Sequence, residues 1–423
     1  MTHGSRTAEP PAVAPIRWSA AFRIESYRFQ WVSDLLTSWA FEMEILILAW
    51  YVLTQTDSPF LTAAVASLSY GGTLLSPMVG VVADRTNRKR LLLGLRFGYA
   101  VLAFCIAILA IGEWLQTWQV FVIAAVSGLI RPSDLVIRNA IIADTVPGPE
   151  LANAMGFSRT TMDSARIIGA LVGAGLFAWV GIGVAYLGVT MLYLLGLIVG
   201  WGIHTTRGTS IGRGAWRELG LGARYVVRTP IIAHLMLLAF VVNLFAFPLS
   251  HGLLPVMARD VFHVDELGLA QLTAAYAVGA LVGSVLIASV FRARDPKSLT
   301  LGGMVAWLGL LVVFTRVPNA QWALAVLFFV GAAQSLSMTS MSVYLLSITR
   351  LEFRGRVLGV RMLAVYGLPI GLLVGGWMLE AIGVRTALTL FAVMGLITVV
   401  AAIWFGRRRY YGHPEHDRAT SLT

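Results

Sequence analysis

Long apolar stretches of helical length alternate with short polar gaps through almost the whole chain. A hydrocarbon core about 30 Å thick needs roughly 20 apolar residues in one helix, and twelve segments reach that length. In the first half they cover about 30–53, 60–82, 90–111, 118–141, 151–180 and 183–204. In the second they cover about 231–256, 267–290, 299–316, 321–347, 358–380 and 384–405. The pattern predicts an all-α membrane protein with 12 transmembrane helices.

The polar gaps differ in charge. Alternate gaps hold Arg85, Arg88, Lys89 and Arg90, then Arg207 to Arg228, then Arg292, Arg294 and Lys297, then Arg350, Arg354 and Arg356. The other gaps hold Asp57, Glu113, the mixed Arg259–Glu266 group and Arg316. Cationic loops stay on the cytoplasmic side, which places both termini there. The longest gap divides the spans six and six. The reading is a tail (1–27), a six-helix bundle (28–204), a linker (205–230), a second bundle (231–406) and a tail (407–423). Sliding the chain by 203 residues superposes Gly80 on Gly283 and "NAMG" (Asn153–Gly156) on "RVLG" (Arg356–Gly359). Repeated halves of this kind place a substrate site near the bilayer midplane, between them.

Composition agrees. Hydrophobic residues make up 57% of the 423, charged ones 13%, and mean hydropathy is +0.77; a soluble domain is about a quarter charged. The net charge of +11 falls almost wholly in the gaps, so it speaks for membrane orientation and against nucleic acid as a partner. Cys105, the single cysteine, lies inside an apolar run and cannot form an intrachain disulfide. Residues 1–27 are polar and Pro-rich, a soluble tail rather than a signal peptide. No nucleophile–base set, metal-ligand cluster or phosphate loop is visible, which argues against an enzyme and against a bound cofactor, and leaves ATP no site.

"GVVADRTNRKR" (Gly80–Arg90), between the second and third spans, carries a family signature. With twelve spans in six-plus-six array, it resembles the major facilitator superfamily, whose loop there reads Gly, small or apolar residues, Asp-Arg, a turn residue and a basic cluster. Gly80, Asp84, Arg85, Arg88, Lys89 and Arg90 fill those places, and Asn87 stands where glycine is usual; asparagine tolerates a left-handed turn. The fifth span offers Ala165, Gly169, Ala170, Gly173 and Ala174 in the register of the superfamily's antiporter motif, without its proline. "TDSPF" (Thr56–Phe60), "VPGPELANAMG" (Val146–Gly156) and "FRGRVLG" (Phe353–Gly359) resemble the branch of macrolide-efflux pumps and enterobactin-type siderophore exporters. The resemblance implies a monomeric multi-pass protein of the bacterial inner membrane. It further implies a gating loop in which Asp84, at the start of the third span, meets Gly359 and a cation such as Arg88 or Arg138.

Ionisable groups at bilayer depth are costly, about 2.5–3.5 kcal/mol each on insertion scales, and mark function by default. The first span holds Asp34, Glu42 and Glu44, proton-coupling candidates. Asp34, Ser38 and Glu42 share one face; Glu44 lies about 200° around from Glu42 and faces elsewhere. Charge partners are Arg131 and Asp134 in the fourth span and Asp163 and Arg166 in the fifth. Arg131 is expected to meet a first-span acid across the cavity. Asn243, Gln334, Tyr344 and Tyr366 are substrate-binding candidates on the less charged second half. Pro248 and Pro255 suggest a bent gate, and His251 between them is expected near the outer, solvated interface. The expected function is secondary active export of an amphiphilic compound in exchange for protons. An importer, a uniporter, or a scaffold or receptor with this fold are the alternatives.

Overall fold

The computed structural model describes residues 21–72, 86–204, 215–291 and 294–409. All regular structure among them is helical. The first part comprises α1 (Glu25–Thr56), α2 (Pro59–Leu68), α3 (Arg88–Ile111), α4 (Thr117–Thr145) and α5 (Gly148–Gly200). After these come α6 (Ala215–Arg228), α7 (Pro230–Phe245), α8 (Leu254–Asp260), α9 (Glu266–Ser289) and α10 (Pro296–Arg316). The remainder are α11 (Ala320–Ile348), α12 (Arg354–Leu363), α13 (Gly367–Ile382) and α14 (Val384–Arg409). Among the described residues, ten helical stretches are long and apolar enough to cross a membrane.

The elements end where their sequences dictate. Ser58 caps α2, its side chain accepting from the Leu61 amide at 3.0 Å, with Pro59 in the first turn. There proline loses nothing, because that first amide has no helical acceptor. The second half of the expected 60–82 span lies outside the described residues. The expected boundary between the fifth and sixth spans falls inside α5, at Gly181, whose φ of 72° and ψ of 174° interrupt the helical run. Asn87 differs from expectation. It is extended (φ −72°, ψ 110°) and caps α3 by accepting from the Arg90 amide at 3.3 Å. The physical reason is local: α3 starts at Arg88, so its orphan amides need an acceptor at 87, not a left-handed turn. Between α7 and α8, Pro248 is followed by a π-helical turn, Leu249–Leu253. The wider turn re-aims Ser250 and His251, a device common at functional positions.

α1 packs along α5, α3 along α5, α9 and α10 along α11, and α14 along α10 and α7; α5–α9 and α2–α13 are the main contacts between elements before residue 204 and elements after 230. Small residues permit the closest approaches. A Cβ on Gly173 would lie 2.9 Å from the Met43 Cα, and one on Gly169 would lie 2.9 Å from both the Trp39 carbonyl oxygen and the Glu42 Cβ. The small-residue register of the fifth span therefore seats α5 against the turn of α1 that carries Glu42. Outward, many large apolar side chains stay uncovered, Trp179 at 87% and Trp377 and Ile397 at 62%, a surface suited to lipid rather than water. Gly173→Leu should force α1 and α5 apart and lower stability by about 1–3 kcal/mol, the usual cost of overpacking. Thermal unfolding in detergent measures it; a parent-like midpoint would contradict this packing.

Candidate functional site

A cavity of about 310 Å³ opens between the two parts of the chain. Ser38, Phe41 and Glu42 of α1, Arg131, Asp134 and Arg138 of α4, and Arg166 of α5 supply its charged side. Tyr70 follows α2; Ser250 and His251 come from the π turn, and Thr273 and Tyr276 from α9. Aliphatic residues such as Leu46, Leu254 and Leu269 line the rest. The expected Ser38–Glu42 face of α1 does point inward. Glu42 Oε1 lies 3.8 Å from Arg166 Nε, both side chains partly exposed at 19% and 25%. That distance and exposure leave the pair loose, worth about 0–1 kcal/mol.

Asp34 sits one turn below Ser38 and does not line the cavity. It accepts from Arg96 Nη2 and stands 3.3 Å from Arg138 Nε. Arg138 also donates to Asp134 Oδ2 at 2.7 Å and to Ser38 Oγ at 3.1 Å. Arg96 donates to Ser33 Oγ, and its Nε lies 3.8 Å from Asp134 Oδ1. Two acids and two arginines, each at most 5% exposed, thus form one buried neutral set. Sequence reasoning missed Arg96. The signal was available: a lone arginine seven residues inside the third apolar span is as costly as any acid in the first. Arg138, expected to serve the gating loop, belongs to this set because it faces α1 from the interior turn of α4.

Arg131 does not meet a first-span acid in an ion pair among the described residues. Its guanidinium lies 4.7 Å from the Phe41 ring centroid, a cation–π contact. Glu44 faces away from the cavity and accepts from the Tyr193 hydroxyl at 2.8 Å. His251, expected near solvent, instead lines the cavity, its Nδ1 2.9 Å from Ser250 Oγ and 3.2 Å from the Phe247 carbonyl. The π turn carries it inward. Asn243, Gln334, Tyr344 and Tyr366 lie outside the cavity lining. Asn243 donates to the Ala239 carbonyl at 2.8 Å, a bond within its own helix. Arg88 donates to Asp144 at 2.6 Å, and Gly359 lies in α12, half-buried. Gly80, Asp84, Arg85 and the Asp163 side chain lie outside the described residues.

At one end of the bundle, hydrogen bonds join elements before residue 204 to elements after 230. Arg259 Nη1 donates to the Leu53 carbonyl at 2.7 Å and to Asp57 Oδ1 at 2.9 Å. Glu380 Oε1 accepts from Ser58 Oγ and from the Phe60 amide at 3.2 Å. A Cβ on Gly376 would meet that of Ala63 at 2.6 Å, so α13 lies directly on α2 there.

Membrane-length helices around a charged internal chamber define a polytopic membrane protein built to hold a small molecule. A model of the Major Facilitator Superfamily matches residues 31–369; the chain belongs to that superfamily and is a transporter rather than an enzyme. Macrolide efflux protein A of Streptococcus pyogenes is 23% identical over 390 residues, 88% of this chain and 92% of that protein. Multidrug resistance protein MdtG of Enterobacter lignolyticus is 24% identical over 409 residues, 93% of each. The solved inward-facing, unoccupied structure of a bacterial homologue of the human lysosomal transporter Spinster shares the fold at 14% identity. Its TM-score is 0.74 over 92% of this chain and 98% of that one.

Removing Arg96 should leave a buried negative charge. Arg96→Met is expected to cost about 3–5 kcal/mol, and adding Asp34→Asn should restore part of the loss. A double-mutant cycle on thermal unfolding reads this; strictly additive losses would dissolve the network.

Proposed function

We propose that this protein is a secondary active exporter that moves an amphiphilic small molecule, of the drug, macrolide or siderophore-like kind, out of the cell as protons enter. The observation that carries this is the cavity itself, one charged wall with Glu42 and Arg166 loosely paired, faced by aromatic and aliphatic side chains. Such a chamber binds an apolar body through burial, about 25 cal/mol per Å², and orients it by a few polar groups. The efflux relatives support the outward direction. In this reading the chain has twelve spans in two six-helix halves, 28–204 and 231–406, works as a monomer and lies in the bacterial inner membrane with both termini cytoplasmic. The ties of Arg259 to Leu53 and Asp57 and of Glu380 to Ser58 and Phe60 then close the periplasmic side, and the chamber opens inward. The signature loop Gly80–Arg90, with Asp84 and Arg88, would latch the opposite side in the alternate state.

Proteoliposomes carrying an imposed pH gradient test the function. Wild-type protein should drive erythromycin movement that collapses with the gradient, and Glu42→Gln should reduce that movement at least tenfold, equivalent to about 1.4 kcal/mol. Gradient-independent flux contradicts the proton-coupled reading, and an unaffected Glu42→Gln protein contradicts the use of Glu42 in the chamber. The outer ties make a separate prediction. In a Cys105→Ser background, Arg259→Gln with Glu380→Gln should raise labelling of Ala49→Cys by an impermeant thiol reagent applied outside. Unchanged labelling would mean the ties do not hold the outer side closed.

A further inference from the structure

Three carboxylates lie on α1 within eleven residues, Asp34, Glu42 and Glu44, and their surroundings divide them. Asp34 is held by Arg96 and Arg138 inside the neutral buried set. Protonating it would leave two arginines facing one remaining acid, an uncompensated charge of the kind that costs several kcal/mol. Glu42 faces the chamber beside Arg166. Glu44 is different in kind. It is 6% exposed, with no cation within ion-pair distance among the described residues. Among the described residues its one hydrogen bond comes from the Tyr193 hydroxyl to Oε2.

Beside Glu44 lies a second, smaller cavity of about 30 Å³, between α1, α2 and α4, large enough for on the order of two waters. Its polar wall is Glu44, Arg131, Ser69 and Ser127. The Ser127 hydroxyl is buried and has no hydrogen-bond partner among the described residues. Phe41, Ile45, Ala49, Ser69 and Arg131 line both this cavity and the main chamber. The partition between the two is therefore one side chain thick, and Arg131, stacked on Phe41, stands in it. The remaining groups that face Glu44 are tyrosines: Tyr193 and Tyr186 from α5, and Tyr99 from α3, stacked on Tyr193 at 5.5 Å. Arg131 is the charged neighbour, from α4.

We infer that this side pocket is a proton-binding site, with Glu44 as the proton carrier and Arg131, Ser69 and Ser127 as the polar route to it from the chamber. The inference rests on the proton-coupled reading above and narrows it. Proton and cargo occupy adjoining compartments, and the Arg131–Phe41 partition communicates between them. No bond but O–H changes: Glu44 gains a proton from water in the chamber and later returns it.

Infrared difference spectra of the full chain in lipid, between acid and neutral pH, test this without any substrate. A protonated-carboxyl band should appear in the wild type, persist in Asp34→Asn and Glu42→Gln, and vanish in Glu44→Gln. Tyr193→Phe keeps the ring and removes the hydroxyl, so the midpoint of the band should shift. This second variant carries the test if Glu44→Gln does not fold. Ser127→Val fills the pocket and spares the chamber, and should slow deuterium exchange of the band severalfold. A band lost in Glu42→Gln and kept in Glu44→Gln overturns the inference while leaving proton-coupled export standing. So does a midpoint indifferent to Tyr193→Phe. A carboxyl band absent from every form, together with flux indifferent to the pH gradient, overturns both.

Discussion

Charge buried away from water is tolerable only as a neutral, hydrogen-bonded set, and that constraint organises the first half of this molecule. Asp34, Asp134, Arg96 and Arg138 come from three helices, and each meets at least one opposite charge. Removing one partner would leave the others stranded at a cost comparable to a large share of the stability of a domain. α1, α3 and α4 are thereby fixed at one depth and in one rotation. That rotation turns Ser38 and Glu42 into the chamber and sends Glu44 to the opposite side. Gly169 and Gly173 complete the arrangement by bringing α5, with Arg166, against Glu42.

The other wall of the chamber is set by backbone rather than charge. Pro248 leads into the π turn, which presents Ser250 and His251 to the cavity, with Phe247 packed on Trp307 at 4.8 Å. The chamber thus has charge on one wall and hydroxyl and aromatic groups on the other. The ties at 53–60, 259 and 380 are exposed in part, the Asp57 side chain at 85% and that of Arg259 at 24%. Exposed pairs contribute little each, so this closure can break and reform during a transport cycle.

Much of this was legible in the sequence, for identifiable reasons. Hydropathy located ten stretches that the described residues show as membrane-length helices, and the break near 181, because these depend on local composition. The 3.6-residue period separated Glu42 from Glu44, because two positions on one helix fix their relative direction. Pairing across helices was not legible. Arg96 and Asp34 are 62 positions apart, and no periodicity says which helices touch. Arg131 was expected to pair with an acid because it was a lone central cation; among the described residues it stacks on Phe41 and shares a pocket with Glu44 without forming an ion pair. His251 was placed by its distance from the span's end, a measure that the wide turn upsets.

Under the proposed antiport, cargo and proton compete for one state of the transporter. Proton release on erythromycin binding tests it most directly, measured with a pH-indicator dye on purified protein in weakly buffered detergent solution. Antiport predicts that binding releases protons, and that the release disappears where the carrier carboxylate is already ionised at higher pH. Binding with no proton released at any pH, or with protons taken up, would contradict it.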